Sequence, residues 1–139
     1  MASRHRSRYR AVQILYQVDM REIAVEAALL GYYESLYSEE QEQKPEKDPF
    51  MESLIRGTLS KLKEIDELMT KHSQNWKVER MPAVDRNIIR LAIYEMLGGK
   101  TPPPVVIDEA LDLTRRFSGD ESVSFVNGVL DAVRKELGR

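Results

Sequence analysis

Apolar residues recur at helical spacing along most of this chain, and nowhere do they alternate as a half-buried strand requires. The densest pattern lies over 83–97, AVDRNIIRLAIYEML, where Val84, Ile88, Leu91 and Ala92 form one apolar stripe and Ile89, Ile93 and Met96 a second beside it. This predicts a helix that touches neighbours on most of its circumference. Only a strip of Arg86, Asn87 and Arg90, ending at Tyr94, is left for water. Pro82 suits the first helical position and Gly98-Gly99 supplies the stop. Two carboxylates, Asp85 and Glu95, fall on the apolar side. Asp85 sits in the first turn, where the helix dipole favours an anion. Glu95 lies at the opposite end and needs a cation or donors from a neighbouring helix, which reads as a structural carboxylate.

The same spacing predicts a helix over about 7–19, carrying Ala11, Val12, Leu15 and Val18, with Ser3 or Ser7 as its cap. A second runs over about 23–37, with Leu29, Leu30, Tyr33, Leu36 and Tyr37 on one face. Residues 38–48, SEEQEQKPEKD, have no apolar period and read as an exposed, mobile loop. Asp48 before Pro49 is an N-cap followed by a first-position proline. From there a long apolar stripe continues to about His72, with a bend or break expected at 57–60, where Gly, Thr and Ser make poor helix interior. Trp76 and Val78 are expected to tuck into the core. Thr101-Pro102-Pro103-Pro104 reads as a stiff connector outside any helix. Val106, Ala110, Leu113 and Phe117 stripe the next helix, ended by Gly119. Val126, Val129, Leu130, Val133 and Leu137 stripe the last, capped by Asp120 or Ser122, with Gly128 read as permitting a close helix approach. The expected fold is an all-α helical bundle.

Composition narrows the function classes. With 139 residues the chain is one domain's worth, and no cysteine is present to make disulfides or thiolate metal sites. The two histidines, His5 and His72, are far apart, so no metal site is expected. No apolar run approaches a membrane span and no secretory signal opens the chain, which points to a cytoplasmic protein. Gly99-Lys100-Thr101 is not a phosphate loop, because Tyr94 stands where the other glycine is required and three prolines follow. There is no serine elbow and no cysteine nucleophile, so no catalytic residue and no cofactor are assigned.

Charge is low overall, −2, but unevenly spread. Arg4, Arg6, Arg8 and Arg10, with His5, all precede the first acidic residue, Asp19. Cations at a helix N-terminus are disfavoured by the dipole. One reading is a solvated, fraying end; the other is an anion site, where guanidinium forks pair with phosphate and backbone donors point the same way. Phe125 likewise has two readings: peripheral core, or a platform for a base of single-stranded RNA.

RHRSRYRAVQILYQVD at the start, ERMPAVDRNIIRLAIYEML in the middle and VVIDEALDLTRRFSGDESVSFVNGVL toward the end resemble the NusB family of bacterial transcription antitermination factors. FVNGVL, with IDEA and the arginine-rich helix start, is the most specific combination. Asp108 departs from the asparagine common there. The resemblance implies a single NusB-like domain of two small helical subdomains, about 1–60 and 61–139, and no enzymatic activity. It implies binding of the boxA element of ribosomal RNA leaders together with NusE, a small-subunit ribosomal protein, within an antitermination complex on RNA polymerase. RNA contacts would fall on Arg4, His5, Arg6, Arg8 and Phe125, with Glu121 and Ser122 beside them; NusE would meet Tyr16 and Asp85. Two rivals are a domain like those that precede ribosomal RNA cytosine methyltransferases, and a helical module that binds only protein. The first is disfavoured by the absence of a glycine-rich cofactor loop and of cysteine.

Overall fold

The computed structural model describes residues 3–36, 46–74 and 76–139. Among them are seven α-helices, one 3-10 turn and no strand. The helices are α1 (Arg4–Arg21), α2 (Val25–Ser35), α3 (Pro49–Ser60), α4 (Leu62–His72), α5 (Ala83–Gly98), α6 (Pro103–Phe117) and α7 (Asp120–Glu136), with the 3-10 turn at Val78–Arg80. Two compact units, Met1–Arg56 and Gly57–Arg139, divide the chain within α3. The loop expected over 38–48 falls mostly outside the described residues.

In the first unit α1 begins earlier than its apolar stripe, because Ser3 caps it and accepts the Arg6 N–H at 3.1 Å. The arginines therefore stand inside the first two turns. Ala11, Val12, Ile14 and Leu15 are buried along α1, and Ala28 and Leu29 along α2. Leu30, assigned to the inner face, is 61% exposed; one residue turns the helix by about 100°, and Ala28-Leu29 already fills the inward side. Leu36 is exposed as well, and Tyr37 lies outside the described residues.

Asp48 caps α3 as its sequence position predicts, one carboxylate oxygen accepting the Met51 N–H at 3.0 Å. Its other oxygen accepts the Ser7 hydroxyl of α1 at 2.7 Å. The Asp48 N–H donates to the Tyr33 hydroxyl of α2 at 2.9 Å, and that hydroxyl donates to Glu52 at 2.8 Å. One capping residue thus joins the starts of α1 and α3 to α2.

In the second unit α5 packs against α4, α6 and α7. The two stripes of 83–97 are buried nearly throughout, with Ile88, Ile89, Leu91, Ala92, Ile93 and Met96 at 3% exposure or less, while Val84 is half-buried. Gly99 ends the helix at φ 69°, its N–H reaching the Glu95 carbonyl at 3.3 Å. The strip assigned to water is not wet: Arg86, Asn87 and Arg90 are all buried. Arg90 forms a two-point pair with Asp66 of α4, both contacts at 2.9 Å, Arg86 donates to the Val78 carbonyl at 3.2 Å, and the Asn87 amide donates to the Ala83 carbonyl at 2.8 Å. Periodicity registers polarity, but it cannot register that a neighbouring helix and turn supply partners for it.

The long stripe after Asp48 does break, at Lys61, whose N–H is shared between the Gly57 and Thr58 carbonyls at 3.2 and 3.3 Å. Gly57 is required for a further reason, since a Cβ there would lie 2.0 Å from the ring of Tyr94. Gly128, by contrast, has nothing among the described residues within 4 Å of where a Cβ would stand, so the close helix approach expected of it is not found among them. Two of the three prolines read as a connector belong to the first turn of α6, where an N–H has no partner to lose. At the α6–α7 corner Ser118 and Gly119 both donate to the Thr114 carbonyl, and Gly119, at φ 107°, is itself the N-cap of α7. Neither Asp120 nor Ser122 caps that helix; Asp120 and Glu121 instead lie in its first turn.

Candidate functional site

The residues expected to touch RNA fall into two groups, one on each unit. In the first unit, Arg4, His5, Arg6 and Arg8 occupy a helix start with no acidic residue in its first turn. Arg4 and Arg6 are exposed and His5 is half-buried, but Arg8 is only 4% exposed and belongs to the packed interior. The Arg4 guanidinium lies 4.3 Å from the centroid of the Phe50 ring, and that of Arg8 lies 5.5 Å from the same centroid. Arg10 sits 5.8 Å from the ring of Tyr32. Such contacts are worth roughly 0.5–1 kcal/mol each at exposed sites. They also explain how successive cations are tolerated at a positive helix end: aromatic faces, negative in potential, stand in for carboxylates. Stacking occupies the face of a guanidinium and leaves its in-plane N–H edge for an oxyanion.

Phe50 was not singled out by the sequence. It stands directly after Pro49, just before the apolar stripe of that helix, and nothing in the pattern announces a ring offered to two arginines. Tyr32, against Arg10, has a buried hydroxyl with no hydrogen-bond partner among the described residues, and burial pushes its phenol above the ordinary range.

In the second unit, Glu121 and Ser122 precede Phe125 by one helical turn on α7, which puts all three on one face. Glu121 is exposed, while Ser122 and Phe125 are half-buried. Trp76, expected in the core, is 52% exposed and stands against Phe125, ring centroids 6.1 Å apart and planes at 54°. Val78 is buried as expected.

Of the residues assigned to a protein partner, Tyr16 on α1 is 38% exposed. Asp85 is 1% exposed and accepts the Ser118 hydroxyl at 2.5 Å, so its carboxylate fixes the α6–α7 corner from inside. Among the described residues no group of three or more His, Asp or Glu is placed to hold a metal ion, and no helix is long and apolar enough to cross a membrane. The chemistry on offer is recognition: exposed guanidinium forks at a helix start, and an aromatic pair beside hydrogen-bond acceptors.

Comparison with known proteins agrees in sequence and in shape. The model of the NusB family matches residues 5–135. A relative from Solibacter usitatus, a transcription antitermination protein NusB, is 60% identical over 137 residues, covering 99% of this chain and 92% of that protein. Among solved structures, NusB of T. maritima superimposes with a TM-score of 0.79 at 33% identity, over 97% of this chain and 92% of that one. The NusB chain of a complex of the antitermination factors NusB and NusE with double-stranded RNA gives a TM-score of 0.80 at 26% identity, over 97% of this chain and 99% of that one. These relatives are named as antitermination factors and not as enzymes. The chain belongs to the NusB family.

Proposed function

We propose that this chain is an RNA-binding antitermination factor that joins NusE on the boxA element of ribosomal RNA leaders, as part of an antitermination complex on RNA polymerase in the cytoplasm. The observation that carries the reading is the start of α1, where exposed Arg4 and Arg6 stand at a helix N-terminus free of first-turn acids. Arg4 and Arg6 take phosphates of the RNA backbone, and His5 lies between them. Arg8, buried against Phe50, holds that helix start in place. Phe125 stacks on a base, with Glu121 and Ser122 offering hydrogen bonds beside it. The complex of NusB and NusE with double-stranded RNA supports both the partner and the class of nucleic acid. NusE meets Tyr16 on the exposed side of α1, and Asp85 serves the partner surface indirectly, by fixing Ser118.

Two phosphate contacts give weak binding by themselves, so useful affinity requires NusE to add contacts of its own. The test is fluorescence anisotropy with labelled boxA RNA, a scrambled RNA of equal length, and a duplex of the boxA sequence, each with NusE present. Tighter binding of the boxA single strand is expected. Equal affinity for the scrambled strand would remove the boxA assignment and favour a helical module that works through protein contacts alone.

A further inference from the structure

We propose that Trp76 is the second half of a base-stacking platform with Phe125, and that this platform takes one unpaired RNA base, preferring a base that carries an exocyclic amino group. The proposal rests on the RNA-binding reading above and extends it to a residue and a base preference outside it. A tryptophan has more apolar surface to hide than any other residue, yet this one is 52% exposed. It is not left out by looseness of its backbone. The Trp76 N–H donates to the Ser73 carbonyl at 3.2 Å, and the Trp76 carbonyl accepts the hydroxyl of Ser73 at 2.7 Å, with Ser73 itself buried. Gln74, next to Ser73, adopts φ 52°, a left-handed conformation that strains a residue other than glycine. The two contacts with Ser73 hold the Trp76 backbone, and the indole stands outside.

The ring planes of Trp76 and Phe125 meet at 54°, so neither ring lies flat over the other and neither hides the other's whole face. What surrounds the pair suits a base better than a phosphate. Glu121, exposed and one turn before Phe125 on the same face of α7, repels an oxyanion but accepts from N–H donors on a base edge. Adenine, cytosine and guanine bring an exocyclic amine to such a carboxylate. Uracil brings a carbonyl oxygen in its place.

Trp76 is the sole tryptophan of the chain, so its emission reports on this site alone. The intact protein is titrated at low salt with short end-labelled oligo(A), oligo(C) and oligo(U), following label anisotropy and tryptophan emission together. Emission should be quenched along the same isotherm as the anisotropy, at lower concentrations for oligo(A) and oligo(C) than for oligo(U). W76A should weaken binding by about fivefold to a hundredfold while W76F retains most of it, and E121A should erase the preference against oligo(U). If anisotropy rises while emission stays constant, or if W76A binds as the wild type does, Trp76 is no part of the platform and the RNA-binding reading stands without it. If no RNA raises the anisotropy, the RNA-binding reading itself fails and this proposal fails with it.

Discussion

Asp48 shows how much one side chain organises in the first unit. It caps α3 through Met51, accepts the hydroxyl of Ser7 from α1, and offers its N–H to Tyr33 of α2. Asp48→Ala removes the cap and leaves the buried Ser7 hydroxyl without its acceptor, so urea denaturation should show a loss of about 1–2 kcal/mol for the cap alone and more for the orphaned hydroxyl. Stability equal to the wild type would mean that water replaces both contacts. Tyr33 in the same network gives a pH signature. Burial first, opposed by the Asp48 N–H and reinforced by Glu52, pushes its phenol from 10.0 up to about 12. Below pH 10 the phenol is neutral in folded and unfolded chains alike, and its stabilising effect is fully present. As pH rises from 10 toward 12 the unfolded chain ionises first, so stability falls. Tyr33→Phe should flatten that alkaline limb in denaturation curves taken across the range, and a limb of unchanged steepness would assign it to other groups.

At the scale of elements, the sequence was most readable where apolar period and end signals agree. The central helix was expected over 83–97 and is found at Ala83–Gly98, with the glycine stop where the pattern put it. The cap at Asp48 and the break before α4 were equally legible, because proline, glycine and short hydroxyl residues act through the local backbone. What escaped depends on partners distant in sequence. The buried Arg90 looked solvent-facing because Asp66 lies on another helix, and the prolines of α6 looked like a linker because a first-turn proline and a connector proline read alike. Phe50 and Trp76 escaped for different reasons: nothing in the pattern singled out the first, which meets two arginines, while the second was expected in the core and stands outside. The centrality of α5 has a direct check. Leu91 is 2% exposed, and Leu91→Ala should cost roughly 2–5 kcal/mol through lost burial and the remaining cavity. An unchanged melting temperature would show that the helix is peripheral to folding.

For the whole molecule, a net charge of −2 is no attraction to RNA, so binding must come from where the charges stand. On the proposed function the electrostatic part of binding lies at the start of α1 and the stacking part at Phe125, and the two differ in kind. Phosphate contacts release counterions and depend on salt, whereas stacking does not. The most direct measurement is therefore the salt dependence of RNA affinity for the wild type, R6A and F125A, each with NusE at the same saturating concentration. Two phosphate contacts from this chain, at about 0.7 each, should contribute a log–log slope of about −1.4, and R6A should flatten the total by about 0.7 while weakening all RNAs alike. F125A should lower affinity by roughly 1–3 kcal/mol and leave the slope unchanged. A slope in R6A identical to the wild type would contradict the account, because the arginines at the start of α1 would then not be touching the RNA.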